Sequence, residues 1–329
     1  MKSDETQLVA AGPRSRTPHP VRIATLAVAG SAAGFGLGPY LATRAIQAEI
    51  TAEVSGLIRV LVLFLALIPY GPEAVKSRGM FRLCLLGGAG TMLGYYTFLR
   101  AIAAGVGPAA TIVYYTYPGL VLVLSAAVST RRLRLRDALL AGLILAGVLV
   151  SIGSSTIAPG AAAVLALSVA APLSWAANLI LLSGPLAPMR VLPKLFGQMA
   201  GGVVVLTPLV VFTSGPGLMP FTREALVAAT MQSIIGLALP AALIAWAAPR
   251  TGARPAGLIG SLEFVVAMVA AWLLLGEPLL AGQAIGVTMV SGAVVGAAIS
   301  ADTARPIPIA DRREGQSRPP SPIQRRNTP

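Results

Sequence analysis

The residue best suited to chemistry is an acid, Glu263, inside the otherwise apolar stretch SLEFVVAMVAAWLLL at 261–275. An ionisable group in the middle of a membrane-length apolar segment is costly and marks a functional site by default. Without a cationic partner, a low-dielectric setting favours the neutral form of the carboxyl group. Glu263 is then suited to carry a proton, or to accept hydrogen bonds from an amine or hydroxyl of a ligand. The structural alternative is a protonated Glu263 that hydrogen-bonds a neighbouring helix.

Two tyrosines in a second apolar segment are candidates for the wall of the same site. Tyr114 and Tyr117 are three residues apart and therefore share one face of a helix. Aromatic walls with a few polar groups suit a small organic ligand. Tyrosines in membrane proteins also serve as interface anchors, and Tyr117 lies too deep in its segment for that role.

Three further polar or aromatic residues are weaker candidates. Arg59 lies five residues into an apolar segment, where it either extends to the membrane interface or pairs with an anion. That anion is a substrate group or an acid such as Glu49 or Glu53. Trp175 and Asn178 share a helix face and are suited to line the same cavity. Helix packing or helix–helix hydrogen bonding is an equally good interpretation of this pair.

Composition identifies the elements that must position these residues. Of the 329 residues, 55% are hydrophobic and 11% are charged, and the mean hydropathy is +0.78. Soluble domains carry about 25% charged residues, so most of this chain faces lipid. The net charge of +13 does not indicate nucleic-acid binding, because the basic residues cluster between apolar segments and in the tails.

Motifs for metal, nucleotide or hydrolytic chemistry are absent from the sequence. It contains one cysteine, which excludes an intramolecular disulfide, and one histidine, which lies in the polar N-terminal tail. There is no phosphate-binding loop, no histidine-based metal motif and no nucleophile elbow. We therefore expect neither an enzyme nor a bound cofactor or metal.

Apolar segments of roughly 20 residues, long enough to span a bilayer, recur ten times along the chain. They are 23–42, 54–71, 80–100, 107–128, 136–154, 161–182, 195–214, 226–247, 255–275 and 280–299. Residues 1–22 form a basic, proline-containing tail, and residues 302–329 form a tail rich in Pro, Arg and Ser. Both compositions are typical of disorder. The sequence thus predicts an all-α polytopic membrane protein with ten transmembrane helices.

One pattern occurs twice, at 109–153 and 255–298: an apolar span, a polar hinge, and a second span rich in Gly and Ala. The first hinge is basic, with Arg131, Arg132, Arg134 and Arg136. The second hinge, Gly276-Glu277-Pro278, has no cation. Because basic loops stay on the cytoplasmic side of a membrane, the two copies are predicted to lie inverted in the bilayer.

A count of all cations gives the same orientation. With ten crossings and the N-terminus inside, 21 of the 25 Lys and Arg residues fall in inner segments, among them Arg190 and Lys194. Both termini are therefore predicted to be cytoplasmic, and the second set of five spans to re-enter the membrane inverted. Inverted repeats place a binding site at their interface near the midplane, where Tyr117 of one copy falls opposite Glu263 of the other.

Two stretches resemble a known family. YYTFLRAIAAGVGPAATIVYYTYPGLVLVLSA and SLEFVVAMVAAWLLLGEPLLAGQAIGVTMVSGAVV are similar to the ends of the two repeats of ten-helix EamA-like members of the drug/metabolite transporter superfamily. The resemblance covers residues 23–299 and is most specific at 257–292. Within it, the residues Arg59, Glu263, Glu277 and Pro278 match the family pattern. Phe264 replaces the usual proline, which Pro118 retains in the first copy, so the ninth span is expected to lack a kink.

The resemblance implies two EamA-type repeats, at 23–155 and 156–301, and a secondary carrier that works by alternating access. We expect it to export small organic metabolites or drugs across the cytoplasmic (inner) membrane, with Glu263 coupling the flux to protons. The alternatives are a uniporter or exchanger without proton coupling, an ion channel, or a membrane-embedded enzyme. Pro118, Glu277 and Pro278 are expected to shape hinges and turns. We assign the Gly-xxx-Gly patterns to packing between helices inside the bundle, with a homodimer contact as the alternative. The protein is expected to be a monomer or a homodimer.

Overall fold

The computed structural model describes residues 19–104, 106–128, 133–152, 162–214 and 222–303, and every regular element within them is helical. The α-helices are α1 (His19–Gly36), α2 (Gly38–Gln47), α3 (Ala52–Leu67), α4 (Gly71–Val75), α5 (Arg78–Ala103), α6 (Gly107–Tyr114), α7 (Tyr117–Val128), α8 (Leu135–Ile152), α9 (Ala162–Leu167), α10 (Ala170–Ser183), α11 (Val191–Ser214), α12 (Arg223–Ser233), α13 (Leu239–Thr251), α14 (Ala253–Gly260), α15 (Leu262–Leu275) and α16 (Ala281–Thr303). A 3₁₀-helix, Ile68–Tyr70, joins α3 to α4, and a π-helix, Ile234–Ala238, joins α12 to α13. Most of both predicted tails, and Arg131 and Arg132 of the first hinge, lie outside the described residues.

Seven helical segments of the described chain are long and apolar enough to cross a membrane. They are Val21–Ala45, Val54–Val75, Ala162–Ser183, Val191–Thr213, Arg223–Thr251, Ala253–Leu275 and Ala281–Ile299. The chain is therefore a multi-pass membrane protein, as its composition predicted. Helices α5, α7 and α8 occupy the third, fourth and fifth predicted spans. The number of ten crossings stays a prediction.

Prolines mark several of the places where the long helical segments are interrupted. A proline has no N–H to donate to the carbonyl four residues earlier, so the helix before it loses a hydrogen bond. α1 gives way to α2 at Leu37, two residues before Pro39, and α6 gives way to α7 just before Pro118. The π-helix ends shortly before Pro240. These interruptions are local consequences of the sequence.

The ninth span is interrupted without a proline, which contradicts the expectation that the replacement by Phe264 leaves it unkinked. α14 ends at Gly260 and α15 begins at Leu262, with Ser261 between them at a ψ of −10°. The Phe264 N–H donates to the Ser261 carbonyl at 3.1 Å, three residues back rather than four. The ninth span is thus interrupted by a tightened turn at Ser261, whereas the fourth span is interrupted because Pro118 has no N–H to donate. In the alignment of the two copies, Ser261 falls opposite Tyr115, the residue that follows α6.

The glycine patterns lie mostly at helix crossings inside the bundle. A Cβ atom on Gly201 of α11 would lie 2.1 Å from the Leu85 carbonyl oxygen of α5. A Cβ atom on Gly286 of α16 would lie 2.2 Å from the Gly147 carbonyl oxygen of α8. At both crossings the two backbones approach directly, as small residues allow in membrane proteins. Gly292 has no neighbour of this kind.

The helix contacts repeat when the two sets of five predicted spans are exchanged. α1 packs against α13, α14 and α15, and its counterpart α10 packs against α5 and α7. Two other contacts join corresponding helices directly: α3 with α11, and α8 with α16. Most of these helix contacts are therefore kept when the two sets of spans are exchanged, and α7 of the fourth predicted span also packs against α14 of the ninth.

Lys194 does not lie in the loop to which the cation count assigned it. It lies in the first turn of α11 with 1% of its surface exposed, and its Nζ donates to the Ala245 carbonyl of α13 at 3.2 Å. Pro249 stands four residues after Ala245 and offers no N–H, so that carbonyl has lost its helical partner. The lysine supplies the missing donor and thereby ties α11 to α13.

This arrangement predicts a coupled pair of substitutions. Lys194→Met leaves the buried Ala245 carbonyl without a donor and should cost about 1–3 kcal/mol of stability. In a Pro249→Ala background the restored N–H bonds that carbonyl, so the same substitution should cost much less. The measurement is the apparent melting temperature in detergent, with Lys76→Met, an exposed lysine, as the control. Equal losses in both backgrounds would show that Lys194 acts independently of this carbonyl.

Candidate functional site

A small cavity lies at the junction of the two halves, where α7 crosses α14. From the first half it is lined by Val28, Ser31, Ala32, Phe35 and Tyr117, and from the second by Trp175, Leu179, Ile244, Ala256, Gly260 and Glu263. Its volume is about 10 Å³. A single water molecule needs roughly 10–15 Å³ on this measure. The described cavity therefore holds about one water molecule, and a larger molecule enters only if its walls move apart.

Glu263 is the only carboxylic acid among the described residues that line this cavity, and none of them is a Lys, Arg or His. It stands in the first turn of α15, directly after the interruption at Ser261. A helix N-terminus favours negative charge, so the break places a stabilising dipole beside the carboxylate. The sequence indicates Glu263 but not this dipole, because no proline marks the break.

The protein holds the Glu263 carboxylate loosely. Tyr114 donates its hydroxyl to Glu263 Oε2 at 3.5 Å, which is at the long end of hydrogen bonding. Arg59 interacts with the same carboxylate electrostatically, and the two form no salt bridge. Most of the acceptor capacity of an ionised carboxylate is therefore unused in this conformation.

The aromatic residues around the break in the fourth span pack as one cluster. Ring centroids of Tyr114 and Tyr117 lie 5.5 Å apart, and those of Tyr115 and Phe264 lie 5.2 Å apart. Tyr117 lines the cavity, is fully buried, and has no hydrogen-bond partner for its hydroxyl. Tyr114 contacts Glu263 instead of lining the cavity. The two tyrosines named from sequence therefore both reach the site, in different ways.

A paired substitution tests this geometry. A Cβ atom on Gly260 would lie 2.8 Å from the Tyr117 hydroxyl oxygen and 3.8 Å from its ring carbon Cζ. Gly260→Ala should therefore be destabilising by about 1–3 kcal/mol in the native chain. In a Tyr117→Phe background the same alanine meets only ordinary van der Waals contact, and most of the loss should vanish. Apparent melting temperatures of the four chains give the coupling, and additive losses would contradict the contact.

Trp175 and Asn178 share a helix but not a role. Trp175 lines the cavity and packs edge-on against Phe35, with ring centroids 5.6 Å apart. Asn178 is buried away from the cavity and accepts a hydrogen bond from Gln198 Nε2 at 2.6 Å. That bond joins α10 to α11, which matches the helix–helix alternative proposed for this residue.

Arg59 lies inside the bundle. Its side chain is 7% exposed and its guanidinium lies over the Tyr95 ring, 4.0 Å from the centroid. Its Nε is buried without a hydrogen-bond partner. It forms no ion pair with Glu49, whose side chain is exposed, and the side chain of Glu53 lies outside the described residues. This geometry is not that of a side chain that extends to the membrane interface.

The predicted hinge residues occupy helix ends. Pro118 is buried in the first turn of α7, and Glu277 and Pro278 lie in the exposed turn between α15 and α16. Gly276 adopts the left-handed conformation with a φ of 70°. The Glu277 N–H then closes the helix on the Ala271 carbonyl at 3.2 Å. The side chain of Glu277 is thus remote from the cavity.

Sequence reasoning missed the contribution of α1 to the cavity. Ser31 and Phe35 lie one turn apart on the same face of α1, and both line the cavity. The Ser31 hydroxyl donates to the Pro240 carbonyl of α13 at 2.8 Å. A polar residue one turn before a phenylalanine in an apolar span is too common to have singled out this face.

A helical membrane bundle whose two halves enclose a central cavity is the architecture of membrane carriers. The sequence profile of the EamA-like transporter family matches the chain twice, over residues 22–153 and 162–299, and the chain belongs to this family. The resemblance noted in the sequence is thereby confirmed, as is the presence of two EamA repeats.

Solved structures agree with the fold. One crystal structure superposes with a TM-score of 0.68 at 18% sequence identity, covering 84% of this chain and 97% of the other. Identity this low supports the fold alone. A search of curated proteins found no match. Family membership makes the chain a membrane transporter of the EamA type, and the roles of its site residues are proposals.

Proposed function

We propose that this EamA-family protein is a secondary carrier that exports small organic metabolites or drugs by alternating access. The observation that carries the proposal is the cavity, which places an acid among aromatic side chains where residues of both halves meet. Inverted-repeat carriers bind their substrates at such an interface, near the middle of the membrane. The halves would be residues 23–155 and 156–301.

We infer an inverted arrangement of these halves, with ten crossings and both termini in the cytoplasm. Two observations support it: the reversed charge of the hinges, and helix contacts that persist when the halves are exchanged. With five spans in each half, exchange of the halves also reverses their direction. Single cysteines at Leu133 and Leu279, in a Cys84→Ser chain, should therefore label from opposite sides of right-side-out vesicles. Labelling of both from one side would contradict the inversion.

The proposed cycle depends on a change in the size of the cavity. The described cavity has room for about one water, so in the proposed cycle it would widen toward one side and then toward the other to admit and release a solute. Glu263 would take up a proton when the cavity faces one side and release it on the other, exchanging it for solute. A carrier in which Glu263 binds solute without moving a proton remains the alternative within transport.

The experiment is flux in proteoliposomes. The purified protein is reconstituted and offered a panel of labelled metabolites and drugs, with and without a pH gradient and with the membrane potential clamped. We expect saturable flux of at least one solute, and accumulation against its gradient only when the pH gradient is present. Saturable flux without accumulation in response to the pH gradient would support the uncoupled carrier. Absence of saturable flux across the panel would contradict the carrier itself.

A further inference from the structure

The lining of the cavity has a single sign of charge. Glu263 is its only acid, and no lysine, arginine or histidine is among the described residues that line it. The buried Arg59 is outside the lining, because its guanidinium lies over Tyr95. From this lining we propose that the solute is an organic cation, an amine or ammonium group on an apolar body. The inference rests on the proposed carrier function and names its substrate class.

The aromatic walls of the cavity favour the same charge. Phe35, Tyr117 and Trp175 all line it, and Trp175 presents its ring beside that of Phe35. The face of an aromatic ring is electronegative and attracts a cation, most strongly for Trp and in desolvated sites. Aromatic rings that surround one acid form a site for a positively charged group with an apolar surface.

The hydrogen bonds of the lining point to a ligand that donates. The Ser31 hydroxyl already donates its hydrogen bond to the Pro240 carbonyl. Glu263 accepts only the long hydrogen bond from Tyr114. The Tyr117 hydroxyl is buried without a partner. An ionised carboxylate in such a place requires a donor or a counter-charge, since an unpaired buried charge is costly. A protonated amine supplies both.

Other solute classes fit this lining less well. An anion would be repelled by Glu263 and would find no base among the described lining residues. A neutral solute would leave an ionised Glu263 with only the long Tyr114 contact and the electrostatic interaction with Arg59, so it would bind better beside the protonated acid. A proton and an organic cation are thus alternative means of neutralising one carboxylate. The described cavity, with a volume of about 10 Å³, has room for the proton but not for an organic cation.

The test uses the cavity's own fluorophore. The chain has three tryptophans, so Trp246→Phe with Trp272→Phe leaves Trp175 as the only reporter. Three probes with one aromatic body are titrated into this full-length chain in detergent: 2-phenylethylammonium, 2-phenylethanol and 3-phenylpropanoate. We expect the ammonium probe to change Trp175 emission saturably and to bind about tenfold or more tighter than the alcohol, with no response to the carboxylate.

Substitution of the acid is the second arm. Glu263→Gln should abolish the preference for the ammonium probe, and Glu224→Gln, the same change at an exposed acid, should retain it. If the alcohol or the carboxylate binds as tightly as the ammonium probe, the proposal is overturned. The three-probe comparison decides this without Glu263→Gln, should that variant fail to fold.

The failure of this inference is distinguishable from failure of the carrier function. Saturable flux of neutral or anionic solutes, together with no ammonium preference at Trp175, would retain the carrier and reject the organic cation. Selective ammonium binding without flux of the same probe in proteoliposomes would retain the cation site and reject the carrier.

Discussion

Glu263→Gln should remove the coupling of solute flux to the pH gradient while leaving the fold intact. Glutamine matches the shape of the acid and retains hydrogen bonding, but it cannot take up or release a proton. With the membrane potential clamped, exchange of one proton for one solute sustains about tenfold accumulation for each pH unit, because one unit is about 1.4 kcal/mol. In the variant that ratio should fall to unity.

The control for this prediction is Glu224→Gln, because Glu224 is exposed in the first turn of α12 and remote from the cavity. Its accumulation ratio should equal that of the native protein. Solute counterflow in Glu263→Gln chains, measured without a gradient, separates loss of coupling from loss of binding. If the variant still accumulates solute on a pH gradient, Glu263 is not the proton carrier, and the uncoupled role of the acid would gain support.

Features set by local chemistry could be predicted from the sequence. The low charge and long apolar segments indicate membrane helices because backbone polar groups must be satisfied inside each segment. The position of Glu263 inside such a segment marked the site for the same energetic reason. Pro118 marked the end of α6, since a missing N–H acts within one turn. Each of these inferences depends on a residue and its near neighbours in the chain.

Features set by contacts between distant segments could not be predicted. Trp175 and Asn178 are predicted to share one helix face. Trp175 packs against Phe35 of α1 at the cavity, whereas Asn178 bonds Gln198 of α11, and only the positions of these two helices decide the difference. The sequence predicts that Lys194 is a loop cation, because nothing near it in the chain indicates that it binds the Ala245 carbonyl of α13. No proline near Ser261 predicts the interruption of the helix there. Spacing within one helix carries no information about the neighbour that each face meets.

The crossing of α5 and α11 should be the most sensitive point of the bundle to a single methyl group. α5 belongs to the first repeat and α11 to the second, so the contact holds the two repeats together. A Cβ atom on Gly201 would lie 2.1 Å from the Leu85 carbonyl oxygen, and one on Gly88 would lie 1.9 Å from the Gln198 carbonyl oxygen. Both obstacles are backbone atoms, which cannot rotate away as a side chain can.

Gly201→Ala should therefore destabilise the protein by about 3 kcal/mol or more, because the two helices must separate along their whole contact. Gly292→Ala is the matched control: Gly292 lies inside α16 with nothing within 4 Å of the added atom. There alanine should be neutral or stabilising by up to about 1 kcal/mol, from its higher helix propensity. The fraction that remains monodisperse in detergent after heating measures both. Equal stability of the two variants would mean that α5 and α11 do not approach backbone to backbone, and that another contact joins the repeats.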